Sequence, residues 1–365
     1  LGDVSFDING DRAGSVTTPG IPSTVLTWYT NKTFNYGMDF AFFNNRLSGT
    51  ADYFVTEING YDINPADYYT TTLGTSLPKV MSDDLFRRAG AEFTLRWKDS
   101  WGAFTYDVGG NISFYDELWV RKNEAWDVSS NPLRRSVGKT LSSGDRMWVS
   151  NGLYQTPSDL INSPRPTWSD GLKTGDISYV DINGDGRIDT DGTNSDDKIY
   201  NNMPSKPIMQ YGIDFNLGYK GFSLTGLFQG SGTKYSKIGN NVKPAGVERL
   251  LYKDQLDYWR PDNTGARFPL PDLNQGTTNN MQADVTFWSV NCAYLRLKNL
   301  QLGYDFKYKL LKKVSWLSSA KLSLVGTNLL TFSDVSGWLD PEQSETQNWA
   351  YPMTKTYSIM VSLGF

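Results

Sequence analysis

Residues 357–365 read Tyr-Ser-Ile-Met-Val-Ser-Leu-Gly-Phe, with Tyr357, Ile359, Val361, Leu363 and Phe365 at alternate positions and mostly small or polar residues between them. A period of two puts those side chains on one face of a β-strand. The beat recurs upstream. Phe34, Tyr36, Met38, Phe40 and Phe42 alternate with Asn35, Gly37, Asp39 and Ala41. Asn44-Asn45 then predicts a tight turn into a strand carrying Leu47, Gly49, Ala51, Tyr53 and Val55. Ala89, Phe93, Leu95 and Trp97 lead to a turn predicted at Asp99-Ser100, followed by Phe104, Tyr106, Val108, Ile112 and Phe114. A third hairpin sets Met209, Tyr211, Ile213, Phe215, Leu217 and Tyr219 against Phe222, Leu224 and Phe228 across Lys220-Gly221. A fourth runs from about Tyr294 to Phe306 and from about Lys321 to Leu329, which with the last strand makes about nine.

The links sort by length. Those near Asn44, Asp99, Lys220 and Lys309 are short, and those after Val55, Tyr115, Gln229 and Leu330 are long, up to about ninety residues. Strict alternation puts every short turn on one side of an up-and-down sheet and every long loop on the other. That asymmetry is expected of a transmembrane antiparallel β-barrel with short periplasmic turns and long extracellular loops. The opposite faces carry Asp39, Asp52, Glu92, Arg96, Asp107 and Asp214, which suits a wet lumen better than a sealed core. Trp97, Trp101 and Trp316, beside short turns, suit an interfacial aromatic girdle.

Composition agrees. Apolar residues make up only 39% of the 365 and aromatics 14%, and mean hydropathy is −0.46. Alternating strands average out to a soluble-looking hydropathy even when they cross a membrane. No apolar run approaches the ~18 residues of a membrane-crossing helix. A net charge of −4 leaves no electrostatic footprint for a nucleic-acid partner. Histidine is absent, which removes the usual general base and the commonest transition-metal ligand, and the single cysteine, Cys292, excludes an internal disulfide.

One local motif carries chemistry. Residues 181–189 place Asp181, Asn183 and Asp185 at positions one, three and five, Gly186 at six, Arg187 at seven and Asp189 at nine of a calcium-type loop. Arg187 would contribute its backbone carbonyl. The twelfth position is Gly192, so Asp196 or Asp197 supplies the last ligand only if 191–195 bulges out, and Asp197 completes the expected set. A Gly- and Asp-rich turn without an ion is the alternative. Gly138-Lys139-Thr140 lacks the earlier glycine of a phosphate loop, because Leu133 holds that place. No nucleophile elbow or acidic pair stands out, so no enzyme is expected. The long-loop tryptophans Trp119, Trp126, Trp148, Trp168, Trp259, Trp338 and Trp349 are expected mostly to pack the loops together.

In order along the chain, several segments resemble the C-terminal part of SusC/RagA-type TonB-dependent transporters of Bacteroidetes outer membranes. They are 36–49, 175–189, 211–230, 258–269, 294–304, 327–332, 340–342 and Phe365. The most specific, 294–304, reads Tyr-Leu-Arg-Leu-Lys-Asn-Leu-Gln-Leu-Gly-Tyr. The resemblance implies a plugged barrel of about 22 strands, of which these would be the last nine or so. Residues 1–365 are then expected to be a C-terminal barrel portion without the plug, the TonB-contacting segment and the early strands. It further implies a SusD-like surface lipoprotein as partner, energy from the TonB–ExbB–ExbD complex, outer-membrane lipid around the wall, and import of an oligosaccharide or peptide. Beyond a structural calcium, no cofactor is implied. A passive pore or surface-adhesion barrel, and a soluble glycan-binding β-protein, are the competing readings.

Overall fold

The structure, a computed structural model, describes residues 6–8, 11–13, 22–63, 78–124, 126–168, 171–189, 196–239, 243, 253–271, 279–282, 284–335, 337, 339–343 and 353–365. Its largest element is one antiparallel sheet of nine strands. These are β1 (Thr30–Phe42), β2 (Leu47–Asn59), β3 (Leu85–Trp101), β4 (Phe104–Arg121), β5 (Met209–Tyr219), β6 (Phe222–Ser231), β7 (Tyr294–Asp305), β8 (Ser319–Phe332) and β9 (Thr356–Gly364). Each strand pairs only with its neighbours in sequence, so the sheet is an unbroken meander.

Two short turns are fixed by backbone geometry that few residues tolerate. Phe43, Asn44 and Asn45 adopt φ of 56°, 56° and 63°, and Asn is the residue that most readily accepts the left-handed region. Lys220 and Gly221, at φ 46° and 89°, make the mirror-image two-residue turn that suits strand twist. The turn expected at Asp99-Ser100 falls instead at Gly102-Ala103, with Gly102 at φ 60°. The alternation continues past Asp99, so Trp101 still pairs with Phe104. The Asp99 carboxylate caps the Ser100 N–H (2.8 Å) and accepts from Arg46 (3.1 Å) rather than turning the chain.

The register aligns the two faces across the whole sheet. Met38, Ala51, Phe93, Ile112 and Tyr211 form one apolar row. Leu217, Leu224, Leu302, Leu324 and Ile359 form another. Most of this face is open, with Tyr357 77% and Ile359 72% exposed. The other face carries the row Asp39, Thr50, Thr94, Asn111, Gly212, Gln229, Arg296 and Thr331, polar or glycine on each of β1 to β8. Near the long links the apolar face itself becomes charged, where Arg87 on β3 donates to Glu57 on β2 at 2.6 Å. Phe34–Phe42 is therefore the depth of the apolar band on β1, close to the ~9–11 residues that a tilted strand needs to cross a bilayer.

Aromatic rings on the apolar face lie over cross-strand glycines. Phe215 pairs with Gly226, where a Cβ would fall 2.3 Å from the ring, and Phe40 covers Gly49 in the same way.

The buried apolar core lies above the sheet, in the two longest links. Trp148, Leu153, Ile177, Tyr179, Ile188, Ile238, Trp259, Phe268, Val285 and Trp288 form one cluster. Short strand pairs frame it: Arg146–Trp148 with Lys198–Tyr200, Ser150–Leu153 with Ile177–Tyr179, and Tyr235–Lys237 with Ser289–Asn291. Trp148, Trp168 and Trp259 pack here as expected, and Trp119 packs edge-on against Tyr61 and Phe86. Trp338, Trp349 and the side chain of Trp126 lie outside the described residues.

Gly226→Val is expected to displace the Phe215 ring and to cost about 1–3 kcal/mol. Phe215→Ala should remove most of that cost, which unfolding measurements on both single variants and the double variant would show.

Candidate functional site

The polar face of the sheet and the loop assembly at its long-link end make the candidate site. On β3 Arg96 extends between two strands, donating to Asp107 on β4 and to Asp214 on β5, both at 2.7 Å. Gly109 leaves the room, since a Cβ there would meet the Arg96 guanidinium at 2.9 Å. Thr50 and Thr94 share a hydroxyl hydrogen bond of 2.6 Å beside it. Asp39, Thr50, Thr94, Arg96, Asn111 and Asp214 line a hollow of about 570 Å³. Among the described residues Asp39, Asp52 and Glu92 make no ion pair, so this part of the face is acidic.

Toward the long links the charges tie loops to strands. Glu117 on β4 accepts from Arg88 at 2.7 Å and from Lys206 at 3.0 Å. Arg296 on β7 is only 2% exposed, with Asp340 and Glu342 of the following link folded back over it. Its guanidinium donates to Asp340 (2.8 Å), to Glu342 and to the Thr331 hydroxyl (2.9 Å). Glu342 also accepts from Lys298 and from the Tyr294 hydroxyl, each at 2.7 Å. Burial favours the neutral acid at Glu342, but these donors and the nearby guanidinium outweigh it and hold the carboxyl below its ordinary range.

Inside the loop assembly, Asn279 and Asn280 pin the two longest links together. Asn280 accepts from the Ile177 N–H (2.9 Å) and donates to Asp176 (2.7 Å), while Asn279 donates to the Ile177 carbonyl (2.9 Å). The Tyr179 hydroxyl donates to the Asn279 carbonyl at 2.5 Å, and burial pushes that phenol's pKa up. Sequence reading missed this pair, because two asparagines in a polar stretch look like a turn. A second junction joins Asp284 to Lys198 (3.1 Å) and Lys237 (2.7 Å). Lys198 lies 3.9 Å above the Trp148 ring, and burial pulls its ammonium pKa down despite the carboxylate. Burial would raise Asp284, but the two lysines outweigh it and keep its carboxyl below the usual value.

The calcium-type loop is divided. Asp181, Asn183 and Asp185 ring one tight turn, with Gly184 and Gly186 at φ 79° and 82°. Asp181 accepts from the N–H groups of Gly184 (2.6 Å) and Gly186 (2.7 Å), and Asp185 from that of Arg187 (2.8 Å). Arg187 pairs with Arg165 in a two-residue parallel bridge. Asp197, fully buried, accepts from the Ile182 (3.0 Å) and Asp189 (2.9 Å) N–H groups and so closes the neck of the loop. Asp196 is directed elsewhere, accepting from Asn131 at 2.8 Å. Residues 190–195, including Gly192, lie outside the described residues. Among the described residues no three acidic, histidine or cysteine side chains converge as a metal cluster. The oxygen donors suit a hard cation, while the hydrogen bonds to N–H groups shape the turn without one.

An up-and-down sheet with an open apolar face, a charged face and packed loops at one end has the two-faced layout expected of an outer-membrane-type β-barrel wall. No family model matches the chain. It is nevertheless SusC/RagA-like over nearly its whole length. It is 26% identical over 99% of its residues to TonB-dependent receptor P3 of Formosa agariphila. It is 24% identical over 98% to TonB-dependent receptor SusC of Bacteroides thetaiotaomicron. It also superposes on the RagAB peptide importer in its closed-closed state with a TM-score of 0.68, at 21% identity and over 98% of its length. The chain spans 36% and 34% of the length of those two curated relatives and 38% of that solved chain. The matched proteins are receptors and importers rather than enzymes.

The Asp284 junction predicts an acid-sensitive loop assembly. Because its native pKa is lowered from 3.8, its contribution is complete above the unfolded value and fades as pH falls through the lower native one. Asp284→Asn should lower stability at neutral pH and flatten this acid limb, measured as loop-tryptophan fluorescence against pH.

Proposed function

We propose that residues 1–365 form the C-terminal wall of a plugged barrel of about 22 strands that imports a large nutrient across the outer membrane. The observation that carries this is the two-faced sheet: apolar and open on one side across nine strands, charged on the other, with every long link at one end. A closed wall needs further strands on either side, since open sheet edges are not tolerated in hydrocarbon. The plug and early strands accordingly belong to the rest of the protein. A SusD-like surface lipoprotein would cap the long loops, and the TonB–ExbB–ExbD complex would supply energy through the plug. Likeness to the RagAB peptide importer supports a peptide cargo, and the resemblance to SusC/RagA-type transporters keeps an oligosaccharide as the other candidate. A passive pore would lack the plug and the energy coupling.

The side assignment is tested on adjacent residues of β8. Leu324 is on the open apolar face and Val325 on the polar one. Leu324→Lys should cost about 2–4 kcal/mol in a bilayer, and Val325→Lys far less. Equal costs, or release of the unaltered protein from membranes without detergent, would sink the barrel reading. Uptake of labelled oligosaccharides and peptides by cells with and without the gene, and with TonB inactivated, tests cargo and energy coupling. TonB-independent uptake would favour the passive pore.

The same proposal assigns calcium to Asp181, Asn183, Asp185, the Arg187 carbonyl and Asp189, with Asp197 beneath them. Calcium should raise the melting temperature of the unaltered protein relative to chelator, and Asp181→Ala/Asp185→Ala should abolish the difference. No shift would leave the loop as a hydrogen-bonded turn.

A further inference from the structure

The link between β7 and β8 differs from the other three short ones. Those close within residues 43–46, 102–103 and 220–221, whereas this one runs through 306–318. It is a folded platform rather than slack chain. The Leu311 N–H donates to Phe306 O (2.8 Å), that of Val314 to Leu311 O (3.0 Å), and the Lys307 ammonium to Val314 O. The Ser318 N–H donates to Gly364 O at 2.7 Å, and the Trp316 ring stacks on Phe365 with centroids 5.8 Å apart and planes 11° apart. On the other flank the Asp305 N–H donates to Gly221 O at 2.9 Å, and the Tyr308 side chain lies against Gly221.

Two kinds of side chain are displayed there. Tyr308, Leu310 and Trp316 are exposed, and Tyr308 beside Gly221 and Trp316 on Phe365 border the open apolar face of the sheet. Phe222, Tyr304 and Phe306 form a chain of rings beside them, with centroids 4.6 and 5.2 Å apart. Lys309, Lys312 and Lys313 are exposed, as is Lys220 on the adjoining turn, and none makes an ion pair with a described residue. The carboxylate at this junction, Asp305, is engaged by the N–H groups of Lys307 and Ala320. Aromatic rings at the edge of an apolar band, with unneutralised lysines just beyond, are the arrangement that engages membrane headgroups.

We propose that the 306–318 turn binds anionic phospholipid headgroups at the short-turn surface of the membrane. Leu310 and Trp316 enter the acyl boundary, and Lys309, Lys312 and Lys313 hold the phosphate. This rests on the barrel reading. Lipid is favoured over an acidic protein because the exposed apolar residues border the same face that would meet hydrocarbon.

The test uses the whole protein carrying this chain, reconstituted in nanodiscs of phosphatidylcholine with or without phosphatidylglycerol, with lipid retention read by native mass spectrometry. The unaltered protein should retain phosphatidylglycerol preferentially, less so at high salt. Lys309→Gln/Lys312→Gln/Lys313→Gln should weaken that retention by about tenfold or more. Lys122→Gln/Lys253→Gln/Lys355→Gln, at the long-link end, removes the same charge and should leave it unchanged. Unchanged retention in the turn variant, or equal loss in both variants, overturns the proposal. Loss of an acidic protein partner with lipid retention intact assigns the lysines to protein docking and also overturns it. A protein that enters no bilayer at all overturns this proposal and the barrel reading together.

Discussion

In the proposed barrel wall the rest of the structure depends on one constraint: a peptide group facing hydrocarbon has no water to bond, so every strand must find its hydrogen bonds in a neighbouring strand. The nine-strand meander meets this for its interior strands by pairing each with its neighbours in sequence. Pairing each strand only with its sequence neighbours forces the links to alternate between the two ends. Loop sorting is thus a consequence of strand order, and one end is free to carry nearly all the irregular chain.

That division inverts the usual layout of a globular protein. The sheet buries little of its apolar face, and the close-packed core lies in the links above it, around Ile177, Ile188, Phe268 and Val285. Glu117 with Arg88 and Lys206, and Arg296 with Asp340 and Glu342, fasten the links to the sheet. Such pairs contribute little net stability relative to apolar contacts, but removing one partner leaves a charge poorly solvated. Their effect is to fix where the links sit. A loop surface proposed to receive a partner or a cargo needs that fixed placement more than it needs extra stability.

The strands were legible because a period of two survives any surroundings, and loop sorting followed from counting residues between them. Local exceptions were not. The turn at Gly102 was misplaced because Asp-Ser resembles a turn, although Trp101 keeps the alternation. Asn279 and Asn280 carried no pattern, since their meaning lies in partners about a hundred residues away. The Asp181 loop showed its donor types but not that Asp197 would close its neck from outside. Sequence reports what repeats locally, and these residues matter through contacts that do not.

The irregularity at Lys298 shows how such an exception joins the two halves of the molecule. Leu300, Leu302 and Tyr304 set the apolar parity of β7, and continued unbroken it would place Arg296 and Lys298 on the apolar side. Between Asn299 and Leu297 the pairing with β6 slips by one residue, so that Leu297 faces Phe228 and Arg296 faces Gln229. An extra residue of this kind reverses every side chain beyond it. On β8, Asn328 takes up the matching distortion at φ 53° and donates to Thr354 O at 3.1 Å. The bulge therefore returns Leu295 and Leu297 to the apolar face and turns Arg296 inward to Asp340 and Glu342. One added residue in the sheet positions the charge that holds Asp340 and Glu342 of the last long link over the polar face.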